Sequence, residues 1–236
     1  MPEPEMKDLC VVFDIDDTLY LEHDYVMSGF NAAGQWALSS LGIPDFAIRC
    51  QTAHLAGQRG NIFNSALEAS AVQPHDDLIQ KLVEVYRSHQ PDIRMCDDAA
   101  SALDAISRRW PVAVITDGPA ISQSRKAEAL HLARFADPIY LTECLGEGCA
   151  KPSIVAYEAV MRAIPGRNYV YIADNPLKDF TAPVQLGWTA IRIRRPGGLH
   201  FSRPNSIVQP HFEFPDCREL PKLFDSPDPR NTGAVA

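Results

Sequence analysis

Leu9-Cys-Val-Val-Phe13-Asp14-Ile-Asp16-Asp17-Thr18 decides the fold of this chain. Five apolar residues in a row, without alternation, read as a strand covered on both faces, and acids follow at once. Four further runs share this character, at residues 112–116, 138–141, 169–173 and 189–193. Helical stripes lie between them. Ala100, Leu103 and Ile106 precede the second run, and Tyr157, Val160, Met161 and Ile164 precede the fourth, with Ser153 as a helix N-cap. This alternation predicts an α/β fold with a doubly wound parallel sheet.

One interval breaks the alternation. Residues 14–111 carry helical stripes rather than strands: Val26, Phe30, Ala33, Ala37 and Leu41, then Ile62, Phe63, Ala66 and Leu67, then Leu78, Ile79, Leu82, Val83 and Tyr86. Breaks at Gly42-Ile-Pro44, at residues 57–60 and at Gln73-Pro74 separate them. The expectation is a small helical unit over residues 22–90, inserted into an α/β core made of residues 1–21 and 91–225. The Pro- and Gly-rich tract from Arg194 to Pro204 is expected to wrap the core. A short element at 211–214 and a helical turn at 218–224 follow it, and residues 226–236 read as a disordered tail.

The 236 residues suffice for one sizeable domain with an insert, and 46% hydrophobic with 22% charged residues excludes a disordered chain. A net charge of -8 argues against nucleic acid and anionic membrane as partners. No apolar run approaches the roughly 20 residues of a membrane span. The first eight residues are polar and acidic, unlike a signal peptide. Six scattered cysteines without a CxxC pair read as reduced thiols, which points to a cytoplasmic protein.

In an open parallel sheet, ligands bind beyond the carboxyl ends of the strands. Asp14, Asp16 and Asp17 follow the first strand, Thr116-Asp117-Gly118 closes the second, and Asp174 to Asp179 follows the fourth. Lys151-Pro152 lies ahead of the helix that leads into the fourth strand. Clustered carboxylates repel one another, and a divalent cation relieves this; oxygen ligands without a histidine cluster select Mg²⁺. Asp14 is ionised at neutral pH and can attack phosphorus without a general base. Asp16 lies near enough for Asp14 and partial burial to raise its pKa, so that it holds the proton a departing alkoxide needs. Thr116, Asp117 and Gly118 stand where phosphoryl oxygens would bind, and Lys151 supplies a positive charge.

These residues resemble the haloacid dehalogenase superfamily. Phe13-Asp-Ile-Asp-Asp-Thr18, Val-Ile-Thr116-Asp-Gly118, Lys151-Pro152 and Ile172-Ala-Asp174-Asn-Pro-Leu-Lys-Asp179 match its four motifs in order, with Ala173 where glycine is usual. The resemblance implies Asp14 as nucleophile and metal ligand, and Asp16 as acid/base and ligand through its backbone carbonyl. It implies Asp174 as the third protein ligand, with Asp179 orienting Lys151 or a metal-bound water. Thr116 and Lys151 would hold the phosphoryl group, and the helical insert would be the superfamily's α-helical cap. Members that dehalogenate carbon substrates lack the second acid, so Asp16 favours phosphotransfer.

The expected activity is therefore Mg²⁺-dependent hydrolysis of a small phosphorylated metabolite, a sugar phosphate first and a nucleotide second. A phosphosugar mutase and a non-catalytic binding protein of the same fold are the alternatives. Near the break at 57–60, Arg59 and Asn61 are candidates to read the substrate, against the simpler reading of solvated loop residues. Arg194, Arg195, His200 and Arg203 are open to the same two readings, a second anion site or a solvated loop.

Overall fold

The computed structural model describes residues 8–225, so the tail expected over 226–236 lies outside the described residues. The chain divides into two compact units, with boundaries between Glu22 and His23 and between Ile93 and Arg94.

The first unit is built around β1 (Leu9–Phe13), β2 (Val112–Thr116), β3 (Ile139–Leu141), β4 (Asn168–Ala173), β5 (Thr189–Ile193) and β6 (Phe212–Phe214). All pairings are parallel, in the order β3-β2-β1-β4-β5-β6. Every residue of β1 and β2 is buried, which is why their sequences show no alternation. One face of the sheet packs Val12, Ala113, Ile115, Tyr157, Tyr171, Phe180 and Trp188 into a continuous core. The chain runs outward from β1 through β2 to β3, then returns to place β4 on the other side of β1. The topological switch therefore falls between β1 and β4, where an open α/β sheet has its ligand crevice. Register sharpens this, because Phe13 pairs with Ile172 and the acids after both strands come out side by side.

In the second unit, α1 (Glu22–Leu41, its first residue contributed by the other unit), α2 (Phe46–Leu55), α3 (Ile62–Glu68) and α4 (Asp76–Ser88) bury one apolar cluster. Phe30, Phe46, Phe63 and Tyr86 meet at ring-centroid distances near 6 Å. The sequence stripes missed α2 because it buries only Phe46 and Cys50. At α4, His75 Nδ1 accepts the Leu78 N–H at 3.3 Å, and Asp76 and Asp77 face the positive end of the helix dipole. Gly34 on α1 has no room for a side chain, since a Cβ there would lie 2.5 Å from the Ala47 Cβ. Alanine is worth up to about 1 kcal/mol over glycine in a helix. Overpacking against a fixed neighbour costs about 1–3 kcal/mol. Gly34→Ala is thus expected to lower the urea midpoint of the helical unit, and an unchanged or higher midpoint would show that α1 and α2 separate freely.

The remaining helices, α5 (Asp97–Ser107), α6 (Ala120–Ala129), α7 (Val155–Ala163), α8 (Thr181–Gln185) and α9 (Leu220–Asp225), belong to the first unit. Two local expectations need correction. The buried stripe of α5 is Ala99, Ala102, Leu103 and Ile106, with Ala100 only half-buried. The N-cap of α7 is Ile154 rather than Ser153, whose hydroxyl makes only a long 3.5 Å contact with the Val155 N–H. All six cysteines are free; burial pushes the thiols of Cys10, Cys50 and Cys217 up to about 12. Among the described residues no helix is long and apolar enough to cross a membrane.

Candidate active site

Asp14 leaves β1 with its N–H bonded to the Ile172 carbonyl at 2.9 Å, which locks the first acid against the end of β4. Carboxylate oxygens of Asp14, Asp174 and Asp179 all lie within 4.8 Å of one another, and all three residues are buried. Into this cluster reaches Lys151, whose Nζ stands 2.9 Å from Asp14 Oδ1, 2.8 Å from Asp179 Oδ1 and 3.0 Å from the Tyr171 hydroxyl. Burial, reinforced by Asp179 and opposed by Lys151, pushes Asp14 up to about 6. Burial and the charges of Asp179 and Asp14 push Asp174 well above the usual carboxylate range. Burial works against the Lys151 ammonium, but Asp14 and Asp179 outweigh it and keep it protonated.

Fully ionised, the three carboxylates would exceed the one ammonium they contact by two negative charges, which is why burial and mutual repulsion make Asp14 and Asp174 hold their protons longer. Among the described residues no hydrogen-bond donor reaches the Asp174 carboxylate. A cluster of hard oxygen donors with this excess fits one divalent cation, and Mg²⁺ is the natural ion for it. Asp179 reaches the cluster as closely as the two expected ligands do, besides pairing with Lys151.

Asp16 is arranged differently from the expectation. Its carboxylate is not raised by Asp14; burial does push it upward, but Lys126 overrides that and the hydrogen bonds from Tyr20 and Gln123 add to the fall. The Lys126 Nζ lies 2.7 and 2.9 Å from the two Asp16 oxygens, and Gln123 Nε2 donates to Oδ2 at 3.0 Å. Both partners stand on α6. The buried face of that helix is polar, with Ser122, Gln123 and Lys126 inside and Ile121 half-exposed at 48%. That inverted pattern was the available sequence signal for these residues.

Thr116 is buried at the end of β2, yet its hydroxyl donates to Gln123 Oε1 at 3.0 Å instead of standing ready for a phosphoryl oxygen. Gln123 therefore joins Thr116 to Asp16. A Cβ on Gly118 would lie 2.9 Å from the Gln123 amide nitrogen, and its φ of +125° also excludes ordinary side chains. Asp117, expected among the phosphate-binding residues, uses its carboxylate to tie loops together. Oδ1 accepts the Thr142 hydroxyl at 2.8 Å and the Lys151 N–H at 3.1 Å, and Oδ2 lies 2.7 Å from Lys178 Nζ. An ionised carboxylate only accepts, so this side chain offers nothing to an anion.

The acids at adjacent strand ends, the lysine between them and the parallel sheet agree with what comparison finds. The family model for haloacid dehalogenase-like hydrolase matches residues 9–187. The chain belongs to the haloacid dehalogenase-like hydrolases. No curated protein matches it. Among solved structures it is similar to the HAD-hydrolase YfnB from Bacillus subtilis bound to magnesium, with 18% identity, a TM-score of 0.66 and coverage of 93% of this chain and 99% of that one. It is also similar to 2-haloacid dehalogenase from Pseudomonas syringae, with 20% identity, a TM-score of 0.63 and coverage of 92% and 98%. CbbY from Rhodobacter sphaeroides in complex with phosphate gives 18% identity, a TM-score of 0.57 and coverage of 89% and 95%. At these identities the likeness is one of fold.

In this haloacid dehalogenase-like hydrolase the arginines that open the tract are engaged by the protein itself, whereas residues 201–204, Arg203 among them, are exposed as a solvated loop would be. Arg192 is wholly buried on β5, and its guanidinium bonds the carbonyls of Asp174, His200 and Arg203 and the side chain of Asn205. Arg194 pairs with Glu213 at 3.0 Å. Arg195, also buried, grips Asp98 with two nitrogens and the Thr18 carbonyl with one. Leu199 donates its N–H to Asp17 at 2.7 Å. The tract is a strap that fastens the loop after β1 to β5 and α5. The Ala173 methyl, where the family has glycine, is absorbed into the sheet core.

Arg59 and Asn61 belong to the other unit of the hydrolase. Arg59 Nη1 donates to the carbonyls of His54 and Gln58, so its guanidinium is engaged by its own loop. Asn61 is exposed and left-handed, with a φ of 51°, at the start of α3.

Proposed function

We propose that the chain is a Mg²⁺-dependent phosphatase acting on a small phosphate monoester, a sugar phosphate before a nucleotide. One observation carries the reading: three buried carboxylates are balanced by a single ammonium, an arrangement that asks for a divalent cation. Displacement of halide from carbon by a carboxylate has no use for that excess charge, nor for Asp16. Asp14, Asp174 and Asp179 would hold the ion, together with the Asp16 carbonyl. Bound there, Mg²⁺ would neutralise charge between the Asp14 carboxylate and a phosphate dianion.

In the first step an Asp14 oxygen attacks phosphorus, the ester P–O bond breaks, and the leaving alkoxide takes a proton from Asp16. In the second, Asp16 removes a proton from water as that water attacks the aspartyl-phosphate, releasing orthophosphate and regenerating Asp14. Lys126 holds Asp16 in its base form, so service as the acid requires Asp16 to be protonated away from that ammonium. Lys151 orients Asp14 and spreads its charge. The helical unit is the cap in this reading, and Arg59 and Asn61 are its candidates to read the substrate.

Phosphate release across sugar phosphates and nucleotides, with Mg²⁺ and with a chelator, is the test. A preference for one ester that vanishes with chelator is expected. Release of halide from 2-haloacids without phosphate release would overturn the reading, and a long-lived phosphoenzyme that returns phosphate to its sugar would replace it with a mutase.

A further inference from the structure

We propose that Arg192 is a positioning residue for Mg²⁺, which aims both Asp174 and Asp179 at the ion through a single peptide unit. The inference rests on the reading of these acids as ligands and deepens it by naming what holds them in place. Arg192 is wholly buried, and no step of the proposed hydrolysis uses it. Its guanidinium has five N–H donors, and five acceptors meet them. Nε donates to the Asp174 carbonyl at 3.1 Å. Nη1 donates to Asn205 Oδ1 at 2.7 Å and to Glu213 Oε2 at 3.5 Å, and Nη2 to the carbonyls of His200 and Arg203 at 2.8 and 2.9 Å. A cation is costly to bury, and an apolar side chain would serve the sheet core as well. Four of its acceptors lie between His200 and Glu213; the fifth belongs to a residue of the acid cluster.

That fifth contact matters because of what the rest of the same peptide unit does. Asp174 is the first residue past the β4–β5 ladder, which ends with the pair Ala173 and Arg192. Its carbonyl and the Asn175 N–H share one rigid plane. Arg192 grips the carbonyl side, and the N–H side donates to Asp179 Oδ2 at 2.9 Å. Asp179 Oδ1 is thereby kept toward the cluster, 2.8 Å from Lys151 Nζ. The Asp174 carboxylate has no donor of its own among the described residues, so its backbone alone aims it. Turning this plane would swing Asp174 and pull Asp179 with it. A cationic donor on the carbonyl also polarises the peptide and strengthens the N–H bond to Asp179. The strap that Arg192 anchors reaches the loop after β1 as well, where Leu199 donates to Asp17 at 2.7 Å and Arg195 to the Thr18 carbonyl at 2.9 Å. It therefore fastens both loops that carry the candidate ligands.

The test is calorimetric titration of the full chain with MgCl₂ alone, beside urea unfolding of each variant. Arg192→Gln and Arg192→Lys are both expected to weaken Mg²⁺ binding about 10- to 100-fold, the usual cost of losing a group that orients a metal ligand. The guanidinium charge by itself acts the other way, since it repels a cation. Tighter binding by Arg192→Gln with unchanged binding by Arg192→Lys would make that charge the cause and overturn the proposal. Arg194→Met gives up bonds to Glu213 and to the Arg203 carbonyl but none to Asp174, and is expected to bind Mg²⁺ as wild type does. Weakening there equal to that in Arg192→Gln would mean that affinity merely follows the integrity of the strap, and wild-type affinity in both Arg192 variants would mean that the peptide holds itself; either result overturns the proposal. Should the Arg192 variants fail to fold, Asn205→Ala removes one anchor of the guanidinium and is expected to weaken Mg²⁺ binding about 2- to 10-fold, the worth of one hydrogen bond; unchanged affinity in it counts against the proposal. Wild-type protein that binds no Mg²⁺ would overturn the reading of the acids as its ligands, and the proposal with it.

Discussion

Asp14→Asn is expected to lower turnover by about 10⁴-fold or more, the scale of losing a nucleophile, while the fold stands. The reason for the second half is electrostatic. Asp14 sits beside Asp174 and Asp179 with only Lys151 opposing them, and its pKa rises from 3.8 to about 6. A raised carboxylate pKa means that the native state holds its proton longer than the unfolded chain does. In chelator, this group therefore costs nothing below pH 4, costs progressively more as the pH rises through the interval, and costs its full amount above pH 6. The variant lacks that cost and should be more stable than wild type at pH 7.5 by up to about 3 kcal/mol. With Mg²⁺ the order changes, because wild type gains about 2.7 kcal/mol at a hundredfold excess over Kd and the variant, short of a ligand, gains less. Urea unfolding of both proteins with chelator and with Mg²⁺ reads this crossing. A variant several kcal/mol weaker in both conditions would show that the Asp14–Lys151 ion pair outweighs the repulsion.

Lys151→Met should have the largest effect on stability. The ammonium is wholly buried and is the direct counter-charge of Asp14 and Asp179. Removing one partner from a buried ion pair costs about 3–5 kcal/mol, because the remaining charges keep their desolvation penalty. Without the ammonium the Asp14 carboxylate, already raised by burial, holds its proton more tightly still, so stability falls as the pH increases. Equilibrium unfolding should therefore show a much smaller loss near pH 5 than near pH 8. Adding Asp179→Asn to Lys151→Met removes one orphaned charge and should restore part of the stability. A loss below about 1 kcal/mol at pH 8 would mean that water or a cation reaches the cluster and replaces the lysine. Turnover is lost in either case, since Asp14 is no longer oriented.

The comparison of strands with loops shows what kind of information a sequence carries. β1, β2 and β5 begin and end at the residues the apolar runs indicate, and β3 and β4 differ by one residue at their starts. Burial on both faces excludes polar residues for the whole length of a strand, so the pattern and the element coincide. The bond network around the acids had no such signature. Lys126 meets Asp16 across 110 residues, and Lys178 meets Asp117 across 61. The polar stripe Ser122, Gln123 and Lys126 marks the buried face of α6, but nothing in it says which carboxylate the lysine meets. The arginines at 194 and 195 gave a similar ambiguity, and of the two Arg195 is buried.

By itself, then, the sequence determined the parallel α/β sheet, the helical insertion after β1 and the placing of Asp14, Asp16, Asp174 and Asp179 just beyond strand ends. These follow from local rules, since continuous apolar runs must be strands and the residues that end them must lie at one edge. The tertiary structure alone decided which charge each acid meets. Asp16 is held by Lys126, Asp14 and Asp179 share Lys151, and Asp117 takes Lys178, because strand order brings together loops that lie far apart along the chain. Ion pairing depends on distances of a few ångströms between such loops, and the periodicity of a sequence carries no record of them.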